Sequence, residues 1–91
     1  MEFDWDPNKA LHNLNKHGVD FQEAATVFAD ILSITYPDPD HSGDEDRFIM
    51  IGLSNRNRLL IVAHTDRQGL TRIISAREVT RSERKLYETE S

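Results

Sequence analysis

Basic side chains and two of the four histidines are the residues of this sequence best suited to chemistry on a charged substrate. An arginine guanidinium binds two phosphate oxygens through parallel hydrogen bonds, and histidine exchanges a proton near neutral pH. Cleavage of RNA needs little more than this, and it needs no metal. The 2′-OH attacks the adjacent phosphorus, a base and an acid transfer protons, and cations stabilise the charged intermediate. The candidates are Lys16, His17, Arg47, His64, Arg72, Arg77, Arg81 and Arg84.

Charge is distributed unevenly along the chain, although a net charge of −5 does not favour strong binding to bulk RNA. Residues 1–46 carry a net charge of −9 and residues 47–91 a net charge of +4. This asymmetry is typical of a basic face on an acidic body. The alternative is that the arginines simply pair with the sixteen acidic residues. The composition leaves both interpretations open.

Other classes of site are excluded by what the sequence lacks. There is no cysteine, so disulfides and thiolate metal sites are absent. No nucleophile elbow, phosphate-binding glycine loop, zinc pattern or dinucleotide fingerprint occurs, and we expect no cofactor. The acidic loop of residues 37–46 has oxygen ligands but not the spacing of a calcium-binding loop. We therefore interpret it as a solvated loop that can contact a basic partner, and not as a metal site.

The length of 91 residues predicts one small domain spanning residues 1–91. No apolar run approaches the roughly 20 residues of a membrane span. The first residues, MEFDWD, are acidic and lack the basic and apolar segments of a signal peptide. We therefore expect a cytoplasmic protein that does not bind membranes.

Residues 58–77 are predicted to form a β-hairpin that positions several of the candidates. Five consecutive apolar residues, 59–63, predict a strand buried on both faces in the middle of a sheet. Residues 66–69 have turn chemistry, because Gly69 adopts a positive φ without strain. The second strand, residues 71–77, begins and ends close to an arginine.

A further strand, residues 47–53, precedes this hairpin and extends it into a meander of three antiparallel strands. In a meander the strand of residues 58–65 lies beside both of its neighbours. Arg47, His64 and Arg72 therefore share one region of the sheet, if the register permits.

Capping signals predict three helices. Asp6 and Pro7 open the first helix, which Gly18 ends. Residues 20–23 form a D-x-x-E capping box for a second helix, and residues 80–83 form a T-x-x-E box for the third. The apolar stripe of the first helix is predicted to bury Ala10, Leu11 and Leu14.

Together these elements predict an α+β fold. It consists of a small antiparallel meander with two N-terminal helices and one C-terminal helix, packed on one face of the sheet. Residues 2–5 are predicted to add a short edge strand, and residues 31–36 a further strand before the acidic loop.

Three segments of the sequence, in their order and spacing, resemble the BrnT family of bacterial type II toxins. They are FDWDPNKALHNLNKHGVDFQEAATVF, EDRFIMIG and TRIISAREVTRSERKLYE. The resemblance covers nearly the whole chain. The polar positions that match the family's pattern are Lys16, His17, Arg47, Arg72, Ser75, Arg77, Glu83, Arg84 and Tyr87.

The resemblance implies a RelE-like fold and metal-independent cleavage of RNA, free or on the ribosome, which halts translation and growth. It implies a BrnA-like ribbon–helix–helix antitoxin as partner, with operator DNA bound only through that antitoxin. Arg72 and Arg77 are expected to clamp phosphate, with Arg47 as a third cation and His17 or His64 as proton carrier. The expected RNA-binding residues are Lys16, Arg81, Arg84 and Tyr87.

Two positions of the matching pattern, Ser75 and Glu83, are assigned structural roles, because Glu83 completes a capping box and Ser75 lies within a strand. The alternative function is a catalytically inactive module that binds an antitoxin and acts as co-repressor. Its basic side would then contact an acidic antitoxin segment. Both functions use the same cations, so the sequence does not separate them.

Overall fold

The computed structural model describes residues 1–41 and 46–90, and its element order confirms the predicted α+β class. The elements are β1 (Phe3–Asp4), α1 (Pro7–His17), α2 (Phe21–Thr26) with a 3₁₀ turn (Val27–Ala29), β2 (Ile34–Pro37) with a second 3₁₀ turn (Pro39–His41), β3 (Arg47–Leu53), β4 (Leu59–Arg67), β5 (Leu70–Glu78) and α3 (Arg81–Glu90). Within the described ranges, no helix has the length and apolar character needed to cross a membrane.

The sheet has five strands in the order β1-β5-β4-β3-β2; β3 to β5 form the predicted antiparallel meander of three strands, and β2 extends it by a fourth. The edge strand β1 differs from the prediction because it runs parallel to β5, which makes the sheet mixed. The direction follows from the path of the chain. β1 lies beside Thr71 and Arg72, and the next element, α1, is hydrogen-bonded to Ala76 further along β5. The chain therefore travels in the direction of β5 itself.

Local capping explains where the helices begin and end. The Asp6 carboxylate accepts a hydrogen bond from the Asn8 amide at 2.8 Å, and Gly18 ends α1 with φ of 70°. Thr80 and Glu83 form the predicted reciprocal capping box of α3, with N···O distances of 2.8 and 3.3 Å. The box of α2 is only half formed. Asp20 accepts from the Glu23 amide, but the Glu23 carboxylate turns into the interior.

The two faces of the sheet carry different cores, and this corrects the prediction that all helices pack on one face. Leu60 and Val62 point toward α1 and α2, together with Phe21 and Val27. Leu59 and Ile61 point to the opposite face, where Val79, just before α3, and Tyr87, within α3, cover them. The strict alternation of β4 explains why its apolar run is buried on both sides, as predicted.

The buried side of α1 is also different from the prediction. Leu11 and Leu14 are 61% and 42% exposed, and Asn13 is buried in their place. The chain packs α1 on the sheet through Ala10 and the Asn13 amide. The spacing of the apolar residues therefore did not identify the buried face of α1. The hydrogen bonds from Asn13 to strand β5 determine which side of the helix faces the sheet.

Candidate active site

A cleft of ≈ 360 Å³ opens on the face of the sheet that α3 partly covers. Its floor includes a row of directly paired residues on three neighbouring strands: Ile49, Ala63 and Ser75. Ala63 and Ser75 are small, so the sheet surface is depressed between the larger side chains around them. The cleft is thus produced by the side-chain sizes in one cross-strand row.

Three of the predicted cationic residues line this cleft on one side. Lys16 and His17 come from the last turn of α1, and Arg77 comes from β5. They are about sixty positions apart in the sequence. The structure therefore brings together the lysine and histidine of the first helix and the arginine of the last strand, and this grouping is suited to binding a phosphate.

A β-bulge in β5 puts both candidate clamp arginines on the cleft face. In a regular strand, residues five positions apart point to opposite faces. Here the register shifts between Ala63 and His64, and Ile74 is the extra residue on β5. Arg72 consequently pairs with Thr65 and Arg77 with Ile61, which lie four positions apart on β4 and so share one face.

Arg72 and Arg77 are nevertheless separated along that face by roughly 13 Å, from a rise of about 3.3 Å for each residue. Arg47 also pairs with Thr65, so Arg47 and Arg72 flank it at the far end of the cleft face. Arg72 donates a 3.0 Å hydrogen bond to Asp4 of the edge strand. His64 is absent from this group, which corrects the expected clustering of Arg47, His64 and Arg72.

Arg77 is held by Glu83 in a bidentate ion pair, with N···O distances of 2.8 and 2.9 Å. The hydrogen bond from Arg77 lowers the pKa of the Glu83 carboxyl below its ordinary value, and the same contact raises the pKa of Arg77. Glu83 also caps α3. The cap predicted for this residue is confirmed, and one carboxylate couples the helix start to the cleft arginine.

Two carboxylates on the other side of the cleft, and a tyrosine close to them, were not among the predicted site residues. Asp38 and Asp40 line the cleft, and the Asp40 amide donates to the Asp38 carboxylate at 3.0 Å. Burial raises the pKa of Tyr36, and the nearby Glu83 carboxylate raises it further, so this hydroxyl is neutral at pH 7. No local pattern in the sequence identified these residues. Their position depends on the strand register, which places Tyr36 opposite Ile49.

The acidic loop therefore contributes directly to the cleft, in contrast to the interpretation of a merely solvated loop. Its residues 42–45 lie outside the described residues. In the parts of the chain that the structure describes, no three histidine or acidic side chains converge where a metal ion could bind.

Asn13 fixes the position of Lys16 and His17 relative to β5. Its amide nitrogen donates to the backbone oxygens of Ala76, at 2.8 Å, and Val19, at 3.0 Å. Its amide oxygen accepts from the Ala76 N–H at 3.1 Å. The side chain thus replaces a neighbouring strand at the edge of β5, beyond the part that β1 covers.

Replacing Asn13 by alanine is expected to reduce the free energy of unfolding by about 2 kcal/mol, because three buried backbone groups lose their partner. Denaturant unfolding measures this loss. Asn15→Ala is the matched control, since Asn15 is exposed on the same helix. Equal stability of the two variants would show that the Asn13 bridge contributes nothing.

His64 lies outside the cleft, contrary to the expectation that it carries protons there. It is 5% exposed on the opposite face of the sheet, and its ring packs against Phe28 and Phe48 with centroid distances of 4.8 and 5.8 Å. Its Nδ1 has no hydrogen-bond partner among the described residues. Burial lowers the pKa of His64 below 6.5, so it acts as a neutral core residue.

This burial predicts a stability change with pH. Below pH 6.5 the unfolded chain binds a proton at His64 that the folded chain does not, so stability falls as pH drops from the unfolded pKa toward the lower folded value. The slope approaches about 1.4 kcal/mol for each pH unit. His64→Phe is expected to remove this slope in denaturant titrations between pH 7 and 5. His12→Phe, at an exposed position, should retain it; identical profiles for both variants would contradict the prediction.

The three candidates on α3 occupy different surroundings. The Tyr87 hydroxyl donates a 2.7 Å hydrogen bond to Asp30, which raises its pKa to about 12. Tyr87 therefore joins α3 to the turn before β2. Arg81 and Arg84 are exposed, and neither is among the described residues that line the cleft. Their predicted role in RNA binding stays a prediction.

The fold and the cleft define a small α+β protein whose cleft has cations on one side and carboxylates on the other, a combination suited to phosphate chemistry. Comparison with known families agrees with this class. The model of the family described as "Ribonuclease toxin, BrnT, of type II toxin-antitoxin system" matches residues 5–83. The chain belongs to this family of ribonuclease toxins, and its membership implies an antitoxin partner.

A solved structure supports the fold. The Brucella abortus ribonuclease toxin BrnT, known from a crystal structure at 1.1 Å resolution, matches with a TM-score of 0.70 and 24% sequence identity. The match covers 89% of this chain and 99% of the Brucella chain. No curated protein matches the sequence.

Proposed function

We propose that this protein is an endoribonuclease that cleaves RNA through attack of the 2′-OH on the adjacent phosphorus, without a metal ion. The observation that carries the proposal is the convergence of Lys16, His17 and Arg77 on one cleft from two distant elements. These side chains supply an ammonium group and a guanidinium to bind the phosphate and an imidazole to transfer a proton.

The arrangement suggests a role for each residue. Arg77 and Lys16 bind the phosphate and stabilise the negative charge of the transition state. His17 protonates the leaving 5′-oxygen. Asp40, on the opposite wall, accepts the proton of the 2′-OH. We choose Asp40 over Asp38 as the base because Asp40 is exposed and lines the cleft. Asp38 is buried, and its carboxylate already accepts a hydrogen bond from the Asp40 backbone N–H.

The same proposal includes the biological setting. Cleavage of RNA, free or on the ribosome, stops translation and growth in the cytoplasm. A BrnA-like ribbon–helix–helix antitoxin neutralises the toxin, and operator DNA is bound through that antitoxin. Family membership supports the presence of an antitoxin, and the acidic charge of the toxin supports contact with DNA only through its partner.

RNA cleavage by the purified protein in EDTA tests the proposed function. We expect products with a 2′,3′-cyclic phosphate, and no cleavage where the attacking 2′-OH is replaced by hydrogen. His17→Ala is expected to lower the rate about 100-fold or more, the usual contribution of a general acid. Asn15→Ala, on the same helix, serves as control. Activity that returns only with added divalent cations would contradict metal independence.

A second candidate function is that of a catalytically inactive co-repressor that only binds the antitoxin. One observation favours it: both terminal nitrogens of Arg77 already donate to Glu83. Folded protein that leaves RNA intact, with and without ribosomes, and that does not arrest growth when expressed alone would establish this second function.

A further inference from the structure

A second hollow, of ≈ 310 Å³, lies between α1 and the edge of β5. Its lining includes Lys16, His17 and Ser75, which also line the active-site cleft. The two hollows therefore lie next to each other, on either side of these residues, where the end of α1 meets β5. We call the second hollow the α1 groove.

The helix wall of the α1 groove presents Lys9, His12 and Lys16. Their spacing of three and four positions puts them on one side of α1. The stripe extends about 10 Å from the cleft, at a rise of about 1.5 Å for each residue. Lys9 and His12 are exposed, and neither contributes to the apolar cores.

The strand wall of the α1 groove is formed by Ile74 and Ser75. Ile74 is the extra residue of the β-bulge and is only partly buried. The groove therefore combines an apolar surface, an imidazole ring and two ammonium groups. Single-stranded RNA matches this combination, because it offers a flat base for stacking beside each phosphate.

We propose that the α1 groove binds the RNA segment next to the cleaved phosphodiester, with Lys9 on a phosphate and His12 stacked on a base. This inference rests on the proposed ribonuclease function and extends it, because it makes the substrate a single strand longer than the dinucleotide that reacts. An acidic peptide would also bind the lysines through its carboxylates. It would not explain why the groove has a stacking surface or why it lies next to the cleft.

Salt-dependent binding tests the role of Lys9. The probe is a labelled single-stranded oligonucleotide of eight 2′-fluoro nucleotides, which lacks the attacking 2′-OH. Each phosphate contact in a single strand contributes about 0.7 to the slope of log K against log salt. Lys9→Ala is expected to reduce this slope by about 0.7 and to weaken binding about fivefold. Lys85→Ala, an exposed lysine that lines neither hollow, should preserve the slope.

Aromatic rescue tests the role of His12. His12→Ala is expected to weaken binding of the eight-nucleotide probe about tenfold, and His12→Phe should restore it, because both rings stack on a base. A 2′-fluoro dinucleotide should bind all variants equally. The same variants are compared for cleavage of RNA on and off the ribosome, where we expect parallel losses in kcat/KM.

The outcomes separate the inference from the function on which it rests. Wild-type protein that cleaves RNA while the Lys9 and His12 variants bind and cleave like wild type would overturn the α1 groove as an RNA site. Loss of binding to a poly-glutamate peptide, with RNA binding intact, would overturn it in favour of an acidic partner. Folded wild-type protein that cleaves nothing would instead refute the ribonuclease proposal itself.

Discussion

Replacing Arg77 by alanine is expected to lower the rate of RNA cleavage by about 10²–10³-fold, the range found when one donor to a transition-state oxyanion is removed. Arg77 lies at the cleft with its side chain 40% exposed, so it is accessible to a substrate phosphate. Its pairing with Glu83 orients the guanidinium before substrate binds. A substrate phosphate then competes with the Glu83 carboxylate for the guanidinium. The same carboxylate accepts a hydrogen bond from the Thr80 amide at the start of α3.

Cleavage assays with three variants measure this effect. Arg77→Lys keeps the charge but loses the planar fork, and we expect it to recover only part of the activity. Arg56→Ala is the matched control, because its side chain is 66% exposed and lies outside the cleft. Full activity of a folded Arg77→Ala protein would remove Arg77 from the mechanism.

The largest loss of stability is expected for Arg58→Ala, about 3–5 kcal/mol, the usual cost of leaving one member of a buried ion pair alone. The Glu23 side chain is 1% exposed, and Arg58 donates to both of its oxygens. Ser54 donates to the same carboxylate at 2.7 Å, and Arg58 also donates to the carbonyl oxygen of Gly18. One arginine thus ties α2, the end of α1 and the β3–β4 turn together.

Thermal and denaturant unfolding measure this loss, which corresponds to a fall in melting temperature of roughly 15 °C or more. Arg56→Ala provides the comparison, because Arg56 approaches Glu23 only to 4.0 Å, and we expect a change below about 0.5 kcal/mol. Similar stabilities of the two variants would contradict a structural role for Arg58.

The pH dependence gives a second check on the same pair. The hydrogen bond from Arg58 lowers the pKa of Glu23 below its ordinary value of 4.5. A lowered carboxyl pKa stabilises the fold above the unfolded value, and the contribution is lost as pH falls through the folded value. The difference between wild type and Arg58→Ala should therefore shrink as pH falls below 4.5. A difference that stays constant down to pH 2 would exclude this pair as its source.

Much of the secondary structure could be predicted because the signals act within a few residues. The Asp6 and Thr80 caps, the Gly18 stop and strand β3 were all predicted from local sequence and are confirmed. The β4–β5 turn was predicted with one difference. β4 continues to Arg67, and Gln68 joins Gly69 at positive φ, at 51° and 83°. Two residues at positive φ match the twist of a tight hairpin.

The residues of the cleft could be predicted only in part. Lys16, His17 and Arg77 were candidates by type, and the structure places them together. Asp38 and Asp40 were assigned to a solvated loop, because no local rule connects a loop before β3 with the end of α1. That connection depends on the register of four strands.

By itself, the sequence determined the family, the three helices, the meander and a set of cations suited to phosphate. The helices and the meander follow from capping, turns and strand alternation, which are interactions between near neighbours, whereas the family follows from the resemblance of three sequence segments. Only the tertiary structure decided which cations share a site. The bulge at Ile74 turned Arg72 and Arg77 to one face, and Asn13 set the rotation of α1. His64 lies on the opposite face, because adjacent residues of a strand point to opposite faces and its neighbour Thr65 faces the cleft side. There its ring packs against Phe28 and Phe48.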